Sequence, residues 1–200
     1  MLLPWIDPVS GTSLWHEKVS YVQFHSVAPR STLGRVPDAL PASGSVSTKV
    51  AATPDELWRI FSDPLTWAEF SSELQEAHYV DGEGPKVGAV IAGRNQRGDF
   101  SWTTESFVTR CVPPTLLEWA TGDREQPTAT WTLVATDAEG GTTLTHSVVL
   151  HPDVAPLGPA VANDPDHAHD IVQSRLNDIL ANMQSNLDGI ASTVATRPPS

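Results

Sequence analysis

Residues Val87 to Gly122 read VGAVIAGRNQRGDFSWTTESFVTRCVPPTLLEWATG. β-branched and aromatic residues run through this stretch, and two kinds of breaker divide it. Gln96-Arg97-Gly98-Asp99 has the composition of a turn, and Pro113-Pro114 stops a strand because proline lacks the ladder N–H. Three strands result: Val87 to Asn95, Phe100 to Cys111, and Leu116 to Thr121. Connections this short require antiparallel neighbours.

The same pattern extends in both directions. Downstream, Thr128 to Thr136 and Thr142 to Leu150 are strands joined by the hairpin turn DAEGG at Asp137 to Gly141. Upstream, Glu76 to Val80 precedes the turn Asp81-Gly82-Glu83-Gly84, and Val46 to Ala52 alternates as a first strand. Between those two, Thr53-Pro54-Asp55-Glu56 opens a helix. Threonine suits the N-cap, proline the first helical position, and the acids the positive end of the dipole. Leu57, Ile60 and Phe61 form its apolar face. Asp63-Pro64 ends it, and Leu65, Trp67 and Phe70 continue as a second short helix.

A long helix closes the chain. Asp164-Pro165-Asp166 is a start signal, and Val172, Leu176, Ile179, Met183, Leu187 and Ile190 recur at spacings of three and four. The helix is expected over Asp166 to Ile190. It must lie across one face of the curved sheet, since nothing else can cover that face. The fold class is therefore α+β: about seven antiparallel strands wrapped on a C-terminal helix, with two short helices after the first strand. Residues 1–44 read as a partly ordered extension, 45–195 as the domain and 196–200 as a tail. Within the extension, Trp15 to Phe24 suits one strand and Pro37 to Ser47 (PDALPASGSVS) has the look of a linker.

Charge and cysteine content restrict the function. Twelve Lys and Arg face 24 Asp and Glu, a net charge of -12, which repels phosphate backbones and anionic bilayers. Lys18, Arg30 and Arg35 offset Asp7, Glu17 and Asp38, so the whole excess falls after residue 44. The single cysteine, Cys111, permits no internal disulfide and no cysteine-based zinc site. No apolar run approaches membrane-helix length, and MLLPWIDPVS lacks the positive start of a secretory signal. The expectation is a cytoplasmic protein without a membrane span.

Gly88, Gly93-Arg94-Asn95, Gly98, Trp102, Pro113-Pro114, Trp119, Trp131 and Gly141-Thr142 carry a resemblance. Together with the opening VSTKVAATPDELWRIFSDPLTWAEF, they resemble the polyketide cyclase/dehydratase-like branch of the START/SRPBCC superfamily over roughly Val46 to Ala195. The resemblance implies a helix-grip fold with a cavity between sheet and helix. It does not fix an activity, because that scaffold hosts many unrelated ones.

Strand alternation nominates the cavity lining. Glu105 belongs in water, so Phe100, Trp102, Thr104, Ser106 and Val108 point inward. By the same reasoning Leu117, Trp119 and Thr121 point inward, as do Trp131, Leu133 and Ala135, then Leu144, His146, Val148 and Leu150, and Ala89, Ile91, Gly93 and Asn95. The candidate ligand-binding residues are Ile91, Asn95, Trp102, Thr104, Trp119, Trp131 and His146. Three tryptophans on one concave face either contact a flat apolar ligand or fill the space themselves. Arg94 and Arg97 flank a turn, where they attract an anion or stand solvated.

Two functions are compatible with that lining. One is a carrier or sensor of a small hydrophobic molecule such as a lipid, polyketide or aromatic metabolite. The other, implied by the resemblance, is a polyketide cyclase or dehydratase with His146 as general base and Asn95, Thr104 or Arg94 as oxyanion partners. Catalysis needs base and donor around one reacting atom; the strands offer one inward histidine and no inward carboxylate, which favours binding. A module that binds proteins through the N-terminal extension has no motif to support it. No cofactor is expected. Nor is a metal: His167 and His169, two apart on a helix, point to nearly opposite sides, and the neighbouring acids suit the helix dipole. Turnover, ligand identity and oligomeric state are left open.

Overall fold

A computed structural model describes residues 42–82, 84–151 and 157–196. The expected Trp15 to Phe24 strand and the end of the tail lie outside the described residues.

Strand β1 (Ala42–Val50) leads to helices α1 (Pro54–Phe61) and α2 (Pro64–Phe70). Then come β2 (Leu74–Tyr79), β3 (Val90–Arg97), β4 (Phe100–Val112), β5 (Leu116–Gly122), β6 (Pro127–Ala138) and β7 (Gly141–Leu150), followed by α3 (Gly158–Asn163) and α4 (Ala168–Ala195). The seven strands form one antiparallel sheet in the order β1-β7-β6-β5-β4-β3-β2. The fold is α+β of the helix-grip kind.

Local chemistry explains the entry to each short helix. Thr53 Oγ1 accepts from the Glu56 backbone N–H at 3.3 Å, and Glu56 Oε2 accepts from the Thr53 N–H at 2.8 Å. This capping box satisfies two donors that the first turn leaves unpaired. Asp63 caps α2 by accepting from the Leu65 N–H at 3.0 Å. The Trp67 indole N–H donates to the Phe61 carbonyl at 2.9 Å and ties the two helices together.

Helix α4 buries Val172, Leu176, Ile179, Met183, Leu187 and Ile190, the whole apolar stripe read from the sequence. Its two halves serve different clusters. Leu176, Ile179 and Met183 pack with Ala129, Val148 and Leu150. Leu187 and Ile190 pack with Leu57, Phe61, Trp67, Trp119, Leu133 and Leu144. The helix lies so close to β1 that a Cβ on Gly44 would come within 2.8 Å of Leu180. At the other end of the strand, a Cβ on Gly141 would meet the Val50 carbonyl at 2.1 Å, so the β6–β7 turn also needs a residue without a side chain.

Several boundaries differ from the sequence reading. β1 begins at Ala42, inside the stretch read as linker; its small residues alternate in burial and pair with β7 from Leu150 onward. β3 begins at Val90, not Val87, because Gly88 turns the chain at a φ of 87° and leaves Val87 exposed. It continues through Gln96 and Arg97, which pair with Ser101 and Phe100, so the turn narrows to Gly98-Asp99. A short 3-10 turn at Pro165–His167 precedes α4, which starts at Ala168 and runs on to Ala195. Helix α3 has no counterpart in the sequence reading.

Candidate functional site on the inner face of the sheet

Cross-strand partners share a face of a sheet, so the register defines the inner surface. Asn95 pairs with Trp102, and Gly93 with Thr104. Val108 pairs with Trp119, Trp119 with Trp131, and Trp131 with Val148. Leu117, Leu133, His146 and Val46 form the next row. Ile91, Asn95, Trp102, Thr104, Trp119, Trp131 and His146 thus lie on one face, and the charged and hydroxyl residues opposite them face out. Phe100 departs from the expected lining. It is 67% exposed at the end of the β3–β4 hairpin and stacks on Trp102 at 5.4 Å, because the hairpin tip extends past the buried rows.

Aromatic rings occupy the centre of this face. Trp67 from α2 stacks on Trp119 at 4.6 Å and 18°, and Trp119 is nearly parallel to Trp131 at 6.3 Å and 9°. The His146 ring lies 5.6 Å from Trp119 and 6.0 Å from Trp131. The role of Trp67 escaped the strand-based reading, since alternation along strands says nothing about a helix residue that reaches the sheet.

A polar strip borders the rings. Asn95 donates to Thr104 Oγ1 at 3.3 Å, over Gly93, where a Cβ would come within 2.7 Å of that oxygen. The Trp131 indole N–H donates to Thr121 Oγ1 at 3.0 Å, and Thr121 shares a 2.8 Å hydrogen bond with Ser106. One hydroxyl hydrogen is used between Ser106 and Thr121, so among the described residues the pair retains a donor on the inner face. Sequence alternation turned both residues inward, but their pairing depends on the register of β4 against β5.

His146 is 6% exposed. Burial pushes its pKa down to about 3, so the imidazole is neutral across the physiological range. Its Nε2 has no hydrogen-bond partner among the described residues. A base of that strength draws protons weakly at neutral pH.

The arginines have carboxylate partners. Arg94 Nε donates to Glu76 at 3.1 Å and holds that carboxyl below its ordinary range. Arg97 reaches Asp178 of α4 at 2.5 Å and approaches Glu73 at 3.9 Å. Arg175 grips Glu73 through both guanidinium nitrogens, at 2.6 and 2.8 Å. This network joins α4 to the β2–β3 side of the sheet beside a cleft of about 450 Å³. Just before α4, His167 pairs with Asp164 at 2.9 Å, and in its first turn His169 approaches Asp170 at 3.7 Å. Cys111 approaches the Pro85 carbonyl at 3.4 Å, and burial raises its thiol pKa.

Residues 41–188 match the family described as polyketide cyclase / dehydrase and lipid transport. The chain belongs to that family. No curated protein matches it. Among solved structures it is similar to the Polyketide_cyc-like protein of Corynebacterium glutamicum, with 22% identity and a TM-score of 0.59 over 79% of this chain and 94% of that one. It is similar to the Zhui aromatase/cyclase of Streptomyces sp. R1128, with 15% identity and a TM-score of 0.58 over 79% and 96% of the two chains. It also resembles the di-domain ARO/CYC BexL of the BE-7585A biosynthetic pathway, with 17% identity and a TM-score of 0.61 over 81% of this chain and 52% of BexL. At these identities the likeness shows the fold. Among the described residues no helix is long and apolar enough to cross a membrane.

Proposed function

We propose that the inner face binds a small hydrophobic molecule, a lipid, polyketide or aromatic metabolite, against Ile91, Asn95, Trp102, Thr104, Trp119, Trp131 and His146. The observation that carries this reading is the state of His146. A neutral imidazole packed beside two indoles, with its pKa down to about 3, suits hydrogen bonding to an uncharged ligand. It suits proton abstraction poorly, because a general base works best with a pKa near the working pH. The indoles supply apolar area, and the polar strip supplies orientation. We place this function in the cytoplasm.

The family also includes cyclase and dehydrase activity by its description, so the second reading is catalysis with His146 as base. One substitution separates the two. Under the binding reading, His146→Leu retains affinity for apolar probes, measured by quenching of tryptophan emission, since apolar burial supplies most of it. Under the catalytic reading, the same change abolishes turnover of a polyketide substrate that the unaltered protein converts. Native mass spectrometry of the purified protein tests for a retained ligand; a protein that neither retains a ligand nor binds apolar probes would refute the binding reading.

A further inference from the structure

The inner face has an open end at the β3–β4 hairpin. Along β3, Ile91, Gly93, Asn95 and Arg97 share one side by alternation. Along β4, Trp102 and Phe100 meet them across the register pairs Asn95–Trp102 and Arg97–Phe100. Cover thins along this series: Ile91 and Asn95 are buried, Phe100 is exposed, and Trp102 belongs to neither apolar cluster of the core. Arg97 is thus the last inward side chain of β3, one pleat beyond Asn95.

Helix α4 is fastened differently on its two flanks. Toward β1, Leu180 lies against Gly44, and Leu176, Ile179 and Met183 pack with Ala129, Val148 and Leu150. Toward the hairpin, α4 presents Asp178, Ala181, Asn182 and Ser185 to the cleft of about 450 Å³, across from Arg97 and Gly98. No large apolar side chain lines that cleft. It is crossed by charge, because Arg97 donates to Asp178 at 2.5 Å. Arg97 also has a second carboxylate within reach, Glu73 at 3.9 Å. Glu73 stays with the sheet, since its carbonyl accepts from the Gln96 N–H at 2.8 Å. On leaving Asp178, the guanidinium therefore keeps a partner, and the half-exposed Asp178 carboxylate returns to water. Neither arrangement strands a charge.

We propose that the Arg97–Asp178 pair is a bolt across the entrance to the inner face, and that it parts whenever a ligand passes between α4 and the β3–β4 hairpin. This rests on the inner face being the ligand site. A half-exposed ion pair is weak and is screened by salt, so the bolt opens readily and its closed fraction falls as ionic strength rises. Neither partner is among the residues proposed to hold the ligand, so the pair forms alike in the free and the loaded protein. Parting it speeds entry and exit together and leaves affinity unchanged. An uncharged ligand is not steered by the protein's field, so salt that speeds both its entry and its exit acts on the protein.

The test follows N-phenyl-1-naphthylamine, an uncharged apolar fluorophore, by stopped flow on the full chain. Raising salt from about 20 mM to about 500 mM should increase its association and dissociation rate constants together, by about two- to five-fold, with Kd unchanged. Asp178→Asn should show the faster exchange already at low salt and lose the salt response, while Asp178→Glu should retain it. Asp188→Asn is the control. Asp188 also ties α4 to the sheet, through Thr48 on the β1 side, so this change should leave the exchange rates as they are. Exchange indifferent to salt and to Asp178→Asn overturns the bolt and leaves the inner-face site standing. Equal acceleration by Asp178→Asn and Asp188→Asn overturns it as well, because it would reflect general loosening of α4. A change in Kd carried by the dissociation rate alone would place Asp178 in the bound complex and overturn the gating role. Absence of fluorophore binding overturns the inner-face site and the bolt with it.

Discussion

The imidazole of His146 and the indole of Trp119 lie 5.6 Å apart, centre to centre, on neighbouring rows of the inner face. Trp119 is itself stacked on Trp67, so the histidine is held against an aromatic wall from which water is excluded. Burial of this kind keeps the imidazole neutral.

A depressed histidine pKa makes stability depend on pH with a known sign. The unfolded chain binds a proton near pH 6.5 and the folded one near pH 3, so titration of His146 takes nothing from stability well above pH 6.5. Stability then falls as pH drops from 6.5 toward 3, by up to about 1.4 kcal/mol per pH unit. Urea unfolding of the unaltered protein and of His146→Phe across pH 7 to 4 should show the smaller slope in the variant. Equal slopes would mean that water reaches the imidazole.

Leu176 is 5% exposed in the cluster under the first half of α4. Leu176→Ala should cost about 2–5 kcal/mol, the usual range for a large-to-small change in a core. Denaturant midpoints measure it, and a cost below about 1 kcal/mol would show that the helix is loosely seated there.

The two ion pairs that bind α4 to the sheet should differ in worth. Glu73 and Arg175 are largely covered and joined by two hydrogen bonds, whereas Arg97 is 56% exposed and Asp178 43%. Glu73→Gln is expected to cost about 1.5–3 kcal/mol, and Asp178→Asn about 0–1 kcal/mol. Raising salt should weaken only the second pair appreciably. Similar losses for the two variants would contradict the difference in burial.

Strand β1 starts at Ala42, so a chain beginning at that residue should keep the full fold. Removing Ala42, Ser43 and Gly44 as well deletes the pairing with Leu150, Val149 and Val148 and should lower the thermal midpoint. Circular dichroism melts of the two truncated chains would check this. An unfolded 42–200 chain would show that the preceding residues complete the core.

The sequence alone determined which residues enter the interior. Alternation in β3 to β7 and the three-and-four spacing of α4 are local properties, set by the geometry of one strand or one helix. They can be read wherever an outward carboxylate such as Glu105 fixes the parity. The capping box at Thr53 and Glu56 was legible for the same reason, since all its atoms lie within one turn. Phe100 shows where that logic stops: parity names the side of the sheet, but only the extent of the helix decides how far cover reaches. Ala42 to Ser47 looked like linker because small residues carry little hydrophobic signal, and it became a strand because β7 offered an unpaired edge beside it. The tertiary structure alone decided that Trp67 would stack on Trp119, that Thr121 would join Ser106 to Trp131, and that Arg175 would grip Glu73. Those relationships depend on register between strands and on the depth at which α4 is seated. Both are set by packing between residues far apart in the chain, which no local period encodes.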